Sequence, residues 1–230
     1  DPSRTGYTFD AWDATAPATM PDNDIAITAT YTADSQTLTY NVNLGSGIAP
    51  LIADYDTVIT APAAPTKANV TFEGWYEDAG FTTPFVFDTM PLSMTLYAQY
   101  YATITYESNG GSAVAAENVN VGDAPTEPAD PTLASHTFNG WYTDNTTFNN
   151  AVDFGAAVTV DDTFYAEFLE VDYTITYNNV LGIANSNPAT YDVETATITL
   201  ADPTTTAGYT FAGWFDAAEG GTEVTEIPLG

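Results

Sequence analysis

The sequence predicts a mainly β chain, α+β at most, built as small repeat domains in a linear tandem array. Three observations carry this reading. A six-residue aromatic motif ending in Trp recurs four times. Short stretches in which apolar residues alternate with Thr recur at fixed places around it, the period-2 mark of half-buried strands. With 16 Gly and 14 Pro in 230 residues, breakers recur too often for long helices, and 39 Thr give a β-branched excess.

The elements of one repeat follow in order. The first is an alternating strand: Leu38-Thr39-Tyr40-Asn41-Val42, Ala102-Thr103-Ile104-Thr105-Tyr106 and Tyr173-Thr174-Ile175-Thr176-Tyr177. A second strand and a Pro-containing loop come next, as in Pro62 to Pro65 or Pro125 to Pro131. Then comes the motif: Tyr7-Thr8-Phe9-Asp10-Ala11-Trp12, Val70-Thr71-Phe72-Glu73-Gly74-Trp75, His136-Thr137-Phe138-Asn139-Gly140-Trp141 and Tyr209-Thr210-Phe211-Ala212-Gly213-Trp214. These hold all four Trp, spaced 63, 66 and 73 residues apart, a period that suits small domains. A variable Gly/Asp/Thr stretch leads to a last strand: Ile27-Thr28-Ala29-Thr30-Tyr31, Leu96-Tyr97-Ala98-Gln99-Tyr100 and Phe164-Tyr165-Ala166-Glu167-Phe168. Met20-Pro21 and Met90-Pro91 precede two of these strands.

The implied domains are 1–33, the C-terminal half of a repeat; 34–100 and 101–168, complete repeats; and 169–230, a repeat without its last strand. We read the chain as a piece of a longer array. The rival is a subunit that lends a strand head to tail, which fits poorly because each end piece carries its own Trp motif.

This order of landmarks resembles the B-repeat family of bacterial surface proteins, named for internalin B and also called the Listeria–Bacteroides repeat. The matching text runs from the strand before Gly110-Gly111, through the Pro-rich loop and Phe138-Asn139-Gly140-Trp141-Tyr142, to Phe164-Tyr165-Ala166-Glu167-Phe168. The resemblance implies a small β-grasp-like, ubiquitin-like domain, arrayed in tandem on cell-surface proteins and adhesins. Family members often carry Lys between the Pro-rich loop and the motif strand; here only Lys67 does so.

Charge excludes several partners. Thirty-one Asp+Glu against two Lys+Arg give a net charge of −29. Nucleic acid needs a basic footprint, and anionic membrane surfaces attract cations, so neither is an expected partner. At 44% hydrophobic and 13% aromatic residues, the chain is not a disordered acidic tail. It has no Cys, hence no disulfides, and no apolar run long enough for direct membrane insertion.

Candidate sites have competing readings. In a regular strand Phe72 and Tyr76 would share one face and Trp75 the other. If Gly74 permits a bulge or close crossing, Trp75 reaches the core instead. Alternatively the Trp anchors a contact between neighbouring repeats, or forms a sugar-stacking platform. Phe9 and Trp12, Phe138, Gly140 and Trp141, and Phe211, Gly213 and Trp214 share these readings, although Ala11 stands where the others have Gly. His136, the only His, aligns with Tyr7, Val70 and Tyr209, which marks a packing position and leaves no Ser–His or Cys–His catalysis.

Asp22/Asp24, Asp54/Asp56 and Asp161/Asp162 are weak Ca²⁺ candidates, since oxygen ligands suit that ion, yet no Asp-x-Asp-x-Asp-Gly loop occurs. Solvated loop acids are their simpler reading, and no other cofactor is expected. Paired acids for glycoside hydrolysis would need a cleft that nothing in the sequence indicates. Asn69-Val70-Thr71 and Asn145-Thr146-Thr147 are glycosylation triplets. A Lys isopeptide could form at most once, at Lys67.

We therefore expect a non-enzymatic, extracellular, bacterial cell-surface or secreted segment acting as a stalk, spacer or filament element. The alternatives are an adhesin-type module contacting glycans or proteins through exposed aromatics, and a self-assembling fibre subunit joined head to tail. Partners would be neighbouring repeats of the same or an identical chain. A 67-residue unit should have a radius of gyration of about 11 Å, so three and a half in line would span roughly 100 Å. Linkers such as Tyr31 to Gln36 and Leu169 to Asp172 carry Asp34, Glu170 and Asp172, whose repulsion would extend the array. Only the bonds after Arg4 and Lys67 are open to a trypsin-like protease.

Overall fold

The computed structural model describes residues 1–14, 19–178, 180–181, 183–204 and 207–228. Among them are β-strands and no α-helix. The chain divides into two compact units. One comprises Asp1–Thr105, Ala116–Thr126 and Asp153–Asp162, and the other Tyr106–Ala115, Glu127–Val152 and Thr163–Gly230.

In the first unit, β1 (Tyr7–Trp12) pairs antiparallel with β2 (Ala29–Ala33). Next come β3 (Ser35–Asn41) and β4 (Leu51–Asp54), antiparallel with Leu38 opposite Leu51. Alternation sets the faces of β3: Leu38 and Tyr40 are buried, and Thr39 between them is exposed. Residues 55–70 cross over without regular structure. Pro62 and Pro65 lie in this crossover and have no N–H to give to a ladder.

β5 (Thr71–Tyr76) and β6 (Met94–Glu107) complete the sheet. β6 runs parallel to β3, Leu38 opposite Met94, and antiparallel to β5, Phe72 opposite Tyr100. The local order is therefore β4-β3-β6-β5, with a parallel central pair. Its core gathers Leu38, Tyr40, Ile59, Trp75, Met90, Leu96, Ala98 and Tyr100. The later part of β6 pairs antiparallel with β7 (Glu117–Asn120), burying Ala102, Ile104 and Val119. Two predicted strands, 96–100 and 102–106, are thus one uninterrupted strand, because no breaker separates them.

In the second unit, β8 (His136–Tyr142) and β9 (Asp162–Glu170) pair antiparallel, with Tyr106, Trp141, Phe164 and Ala166 buried. The rest is sparser. β10 (Tyr173–Thr174) pairs with β11 (Thr190–Tyr191), and β12 (Ile198–Thr199) with β13 (Glu226–Ile227), two residues each. The alternating strand expected over 173–177 shrinks to β10. Residues 209–214, the fourth motif, form no strand. No strand among the described residues pairs with them, although Trp214 O accepts from Val224 N at 2.8 Å.

Candidate functional site: the tryptophan motif and the repeat junctions

Each paired motif is bulged. Register shifts by one residue between Phe9 and Ala11, between Phe72 and Gly74, and between Phe138 and Gly140. The extra residues, Asp10, Glu73 and Asn139, are exposed. A bulge turns the following side chains to the opposite face. Trp75 therefore joins Phe72 on the core side, their ring centroids 5.5 Å apart, and Phe138–Trp141 repeats this at 5.6 Å. Phe9–Trp12 and Phe211–Trp214 make the same pair at 5.5 and 5.2 Å.

The residue facing Trp across the ladder is always Ala: Trp12 opposite Ala29, Trp75 opposite Ala98, and Trp141 opposite Ala166. A small residue leaves room for the indole between strands about 5 Å apart. Trp75 and Trp141 are 5% and 4% exposed, Trp12 51%. Tyr40 lies at 4.8 Å from Trp75 and Tyr106 at 5.0 Å from Trp141, closing each indole into a ring cluster. The Nε1 atoms of Trp75 and Trp141 are buried without a hydrogen-bond partner among the described residues, whereas Trp214 Nε1 donates to Ala201 O at 3.1 Å. Gly140 and Gly213 take φ of +131° and +126°, while Gly74 and Ala11 stay out of that region, so the motif tolerates Ala at one position and not at another.

A second recurring device went unread in the sequence. Asn43 and Asn109 adopt positive φ and donate Nδ2 to Ala98 O and Ala166 O, each at 2.7 Å. Three residues on, Ser46 and Ser112 exchange two hydrogen bonds with Thr66 and Thr132. The recurring text Asn-x-Gly-Ser was the available signal. A Cβ at Gly45 would collide with the Tyr100 hydroxyl, and one at Gly111 with the Phe168 ring.

The junctions between repeats use backbone and carboxylate together. After β2, Asp34 N donates to Gly6 O and its carboxylate accepts from the Thr8 hydroxyl. Tyr55 packs edge-on against Tyr7 at 5.6 Å, over Gly6. After β9, Val171 N donates to Ser135 O in the same way. At Asn69, Asp161 intervenes: its N donates to Asn69 O at 2.7 Å, and its carboxylate accepts from Thr103 N at 2.8 Å.

The proposed metal candidates do not converge. Asp22, Asp24, Asp54, Asp56, Asp161 and Asp162 are all exposed, and no three His, Cys, Asp or Glu among the described residues could hold an ion together. Other acids close loops. Burial raises the Asp78 carboxyl, but donors from Thr82, Thr83 and Gly80 outweigh it and hold it below the usual range. Backbone and hydroxyl donors of Thr147, with Phe148 N, hold Asp144 well below that range. Acid followed by Gly or Thr is an Asx-turn signal, and it marks both loops. A hydrogen bond to Asp192, then burial, pushes Glu170 up.

His136 is half-buried, its Nδ1 2.8 Å from Ala134 O and its ring 6.5 Å from Phe168. Asn69 is exposed with φ +56°, and Asn145 Oδ1 accepts from Asn109 Nδ2. Both cations sit over rings: Arg4 3.9 Å from Tyr7, and Lys67 5.2 Å from Tyr100. No described helix is long and apolar enough to cross a membrane.

Comparison with known proteins adds context. The family model of the Listeria–Bacteroides repeat domain matches residues 37–99, 103–167 and 173–228. A protein of Evansella cellulosilytica provisionally named a Gly-rich membrane protein is 30% identical over 92% of this chain and 26% of its own length. A second, provisionally named a membrane protein, is 31% identical over 78% of this chain and 27% of its own. Internalin H of Listeria monocytogenes is 36% identical over 50% of this chain and 22% of its own. The chain thus spans about a quarter of the length of these relatives. No solved structure matches it.

Proposed function

Because the chain belongs to the Listeria–Bacteroides repeat family, we propose that it is a non-enzymatic spacer segment of a larger bacterial surface protein. The observation that carries this reading is the burial of Trp75 and Trp141 opposite Ala98 and Ala166. In the two complete repeats the motif Trp is spent on the interior, which leaves little of it to serve as a ligand platform. The connectors also support it: one residue, Asp34, separates β2 from β3, and two separate β9 from β10. Little slack remains in such short joints.

The domain pattern 34–100, 101–168 and 169–230 draws support from the three family matches. The order β4-β3-β6-β5 with its parallel centre supports a β-grasp-like repeat. Extracellular display is our reading from relatives named as membrane proteins and as an internalin.

A glycan array probed with the chain and with Trp75→Phe tests the role. A spacer gives no retained glycan with either. A glycan held by the chain and lost in the variant would make the motif a binding platform and refute the spacer.

A further inference from the structure

The sole lysine of the chain lines a cavity in the 34–100 repeat, wholly within the first unit. The cavity is about 430 Å³ and is bounded by Lys67, Asn41, Gln99, Tyr97, Phe81 and Leu44, among others. Lys67 Nζ lies 5.2 Å from the Tyr100 ring and makes no ion pair among the described residues, on a chain with 31 acids. Gln99 is 7% exposed, yet its amide has no hydrogen-bond partner among the described residues, which is rare for a buried polar group. Leu44 is 93% exposed at φ +69°, a region that bulky side chains seldom enter. Strain of this kind is a mark of ligand-contacting positions.

The 101–168 repeat supplies the contrast. Asn109 N donates to Glu107 Oε1 as Asn43 N donates to Asn41 Oδ1, so Glu107 stands where Asn41 does. Gly140 faces Glu167 as Gly74 faces Gln99, so Glu167 stands where Gln99 does. Thr132 N donates to Ser112 Oγ as Thr66 N does to Ser46 Oγ, and the next residues are Leu133 and Lys67. Gly110, at φ +90°, stands where Leu44 does. Glu167 is already engaged, accepting from Asn139 Nδ2 at 2.6 Å. One repeat thus carries a cation and two amides where the other carries a leucine and two carboxylates.

We infer that the Lys67 cavity binds a small carboxylate with an apolar body. The Lys67 ammonium pairs with the carboxylate, a charge-assisted bond stronger than a neutral one. The Gln99 amide donates to the same group, and so does Asn41 Nδ2, since Asn41 Oδ1 already accepts from Asn43 N. Tyr97, Phe81 and Leu44 enclose the apolar body. A few placed polar groups among apolar walls are the usual form of a small-molecule site. None of the six side chains named is a carboxylate, so a cationic ligand finds no counter-charge among them. The motif Trp takes no part, so this site adds to the spacer reading without resting on it.

The test titrates the whole 230-residue chain with phenylacetate and follows the side-chain amide signals of Gln99 and Asn139 by NMR. The salt is set at about 0.15 M, where a Debye length of about 8 Å screens the distant acids. A saturable shift at Gln99, with a millimolar midpoint for a ligand of this size, is expected. Asn139, in the repeat without the cation, should stay still. Phenylacetamide, the uncharged isostere, should bind about tenfold more weakly, and Lys67→Gln should weaken phenylacetate by about the same factor. Leu44→Gly, which matches Gly110, should weaken phenylacetate and leave acetate unchanged. No saturable shift at Gln99 through the millimolar range would overturn the inference. So would equal midpoints for phenylacetate and phenylacetamide, an unchanged midpoint in Lys67→Gln, or a matching shift at Asn139.

Discussion

At Ala98 the side chain stops at one methyl because Trp75 stands directly across the ladder. Trp75→Ala empties a packed ring cluster and should cost about 3–5 kcal/mol in denaturant unfolding. Ala98→Leu forces the reverse error and should cost about 1–3 kcal/mol. Trp75→Phe should be milder than Trp75→Ala, because it keeps ring contacts and removes a buried N–H that lacks a partner among the described residues. The loop acids make stability depend on pH with a definite sign. Asp78 and Asp144 are held below their unfolded values by donated hydrogen bonds. Their contribution is complete above the unfolded carboxyl range and is lost as pH falls through the lower folded values. The Asp144→Asn penalty, read as a shift of the unfolding midpoint, should therefore be larger near pH 7 than at about pH 2. A penalty equal at both ends would contradict it. Glu170 has the opposite sign: its raised pKa means that the fold gains as pH falls through that value.

Among elements, the motif strand was the most legible. Four copies of one text exposed it, three of which are strands in the structure, and face arithmetic on Phe72, Trp75 and Tyr76 already posed the choice between a bulge and an outward Trp. The structure gives the bulge and adds the reason for the recurring Ala in the last strand. The junctions were much less legible. Asp161 reaches Asn69 and Thr103 across 92 and 58 residues of sequence, and no local pattern announces such a contact. Of the linker acids, Asp34 accepts from the Thr8 hydroxyl and Glu170 bonds to Asp192, contacts that no local pattern announces. The short extent of β10 was likewise hidden, because alternation reports a strand's faces and not whether a partner is there to pair with it. Asp161→Ala should accelerate exchange at the Thr103 amide while leaving β5 amides slow. Unchanged exchange at Thr103 would show that the carboxylate holds nothing.

For the whole molecule, the charge of −29 sets the physics that remains. The two cations lie over Tyr7 and Tyr100, and two positive charges cannot balance thirty-one acids wherever they sit. Unbalanced like charge raises solubility and favours extension at low salt. The measurement that bears most directly on a charged spacer is small-angle scattering of the chain at about 0.01 M and about 1 M salt, where the Debye length falls from about 30 to about 3 Å. A spacer held open by its acids should show a shorter maximum dimension at high salt, and again when Ca²⁺ is added at low salt. A profile unchanged across both series would contradict it.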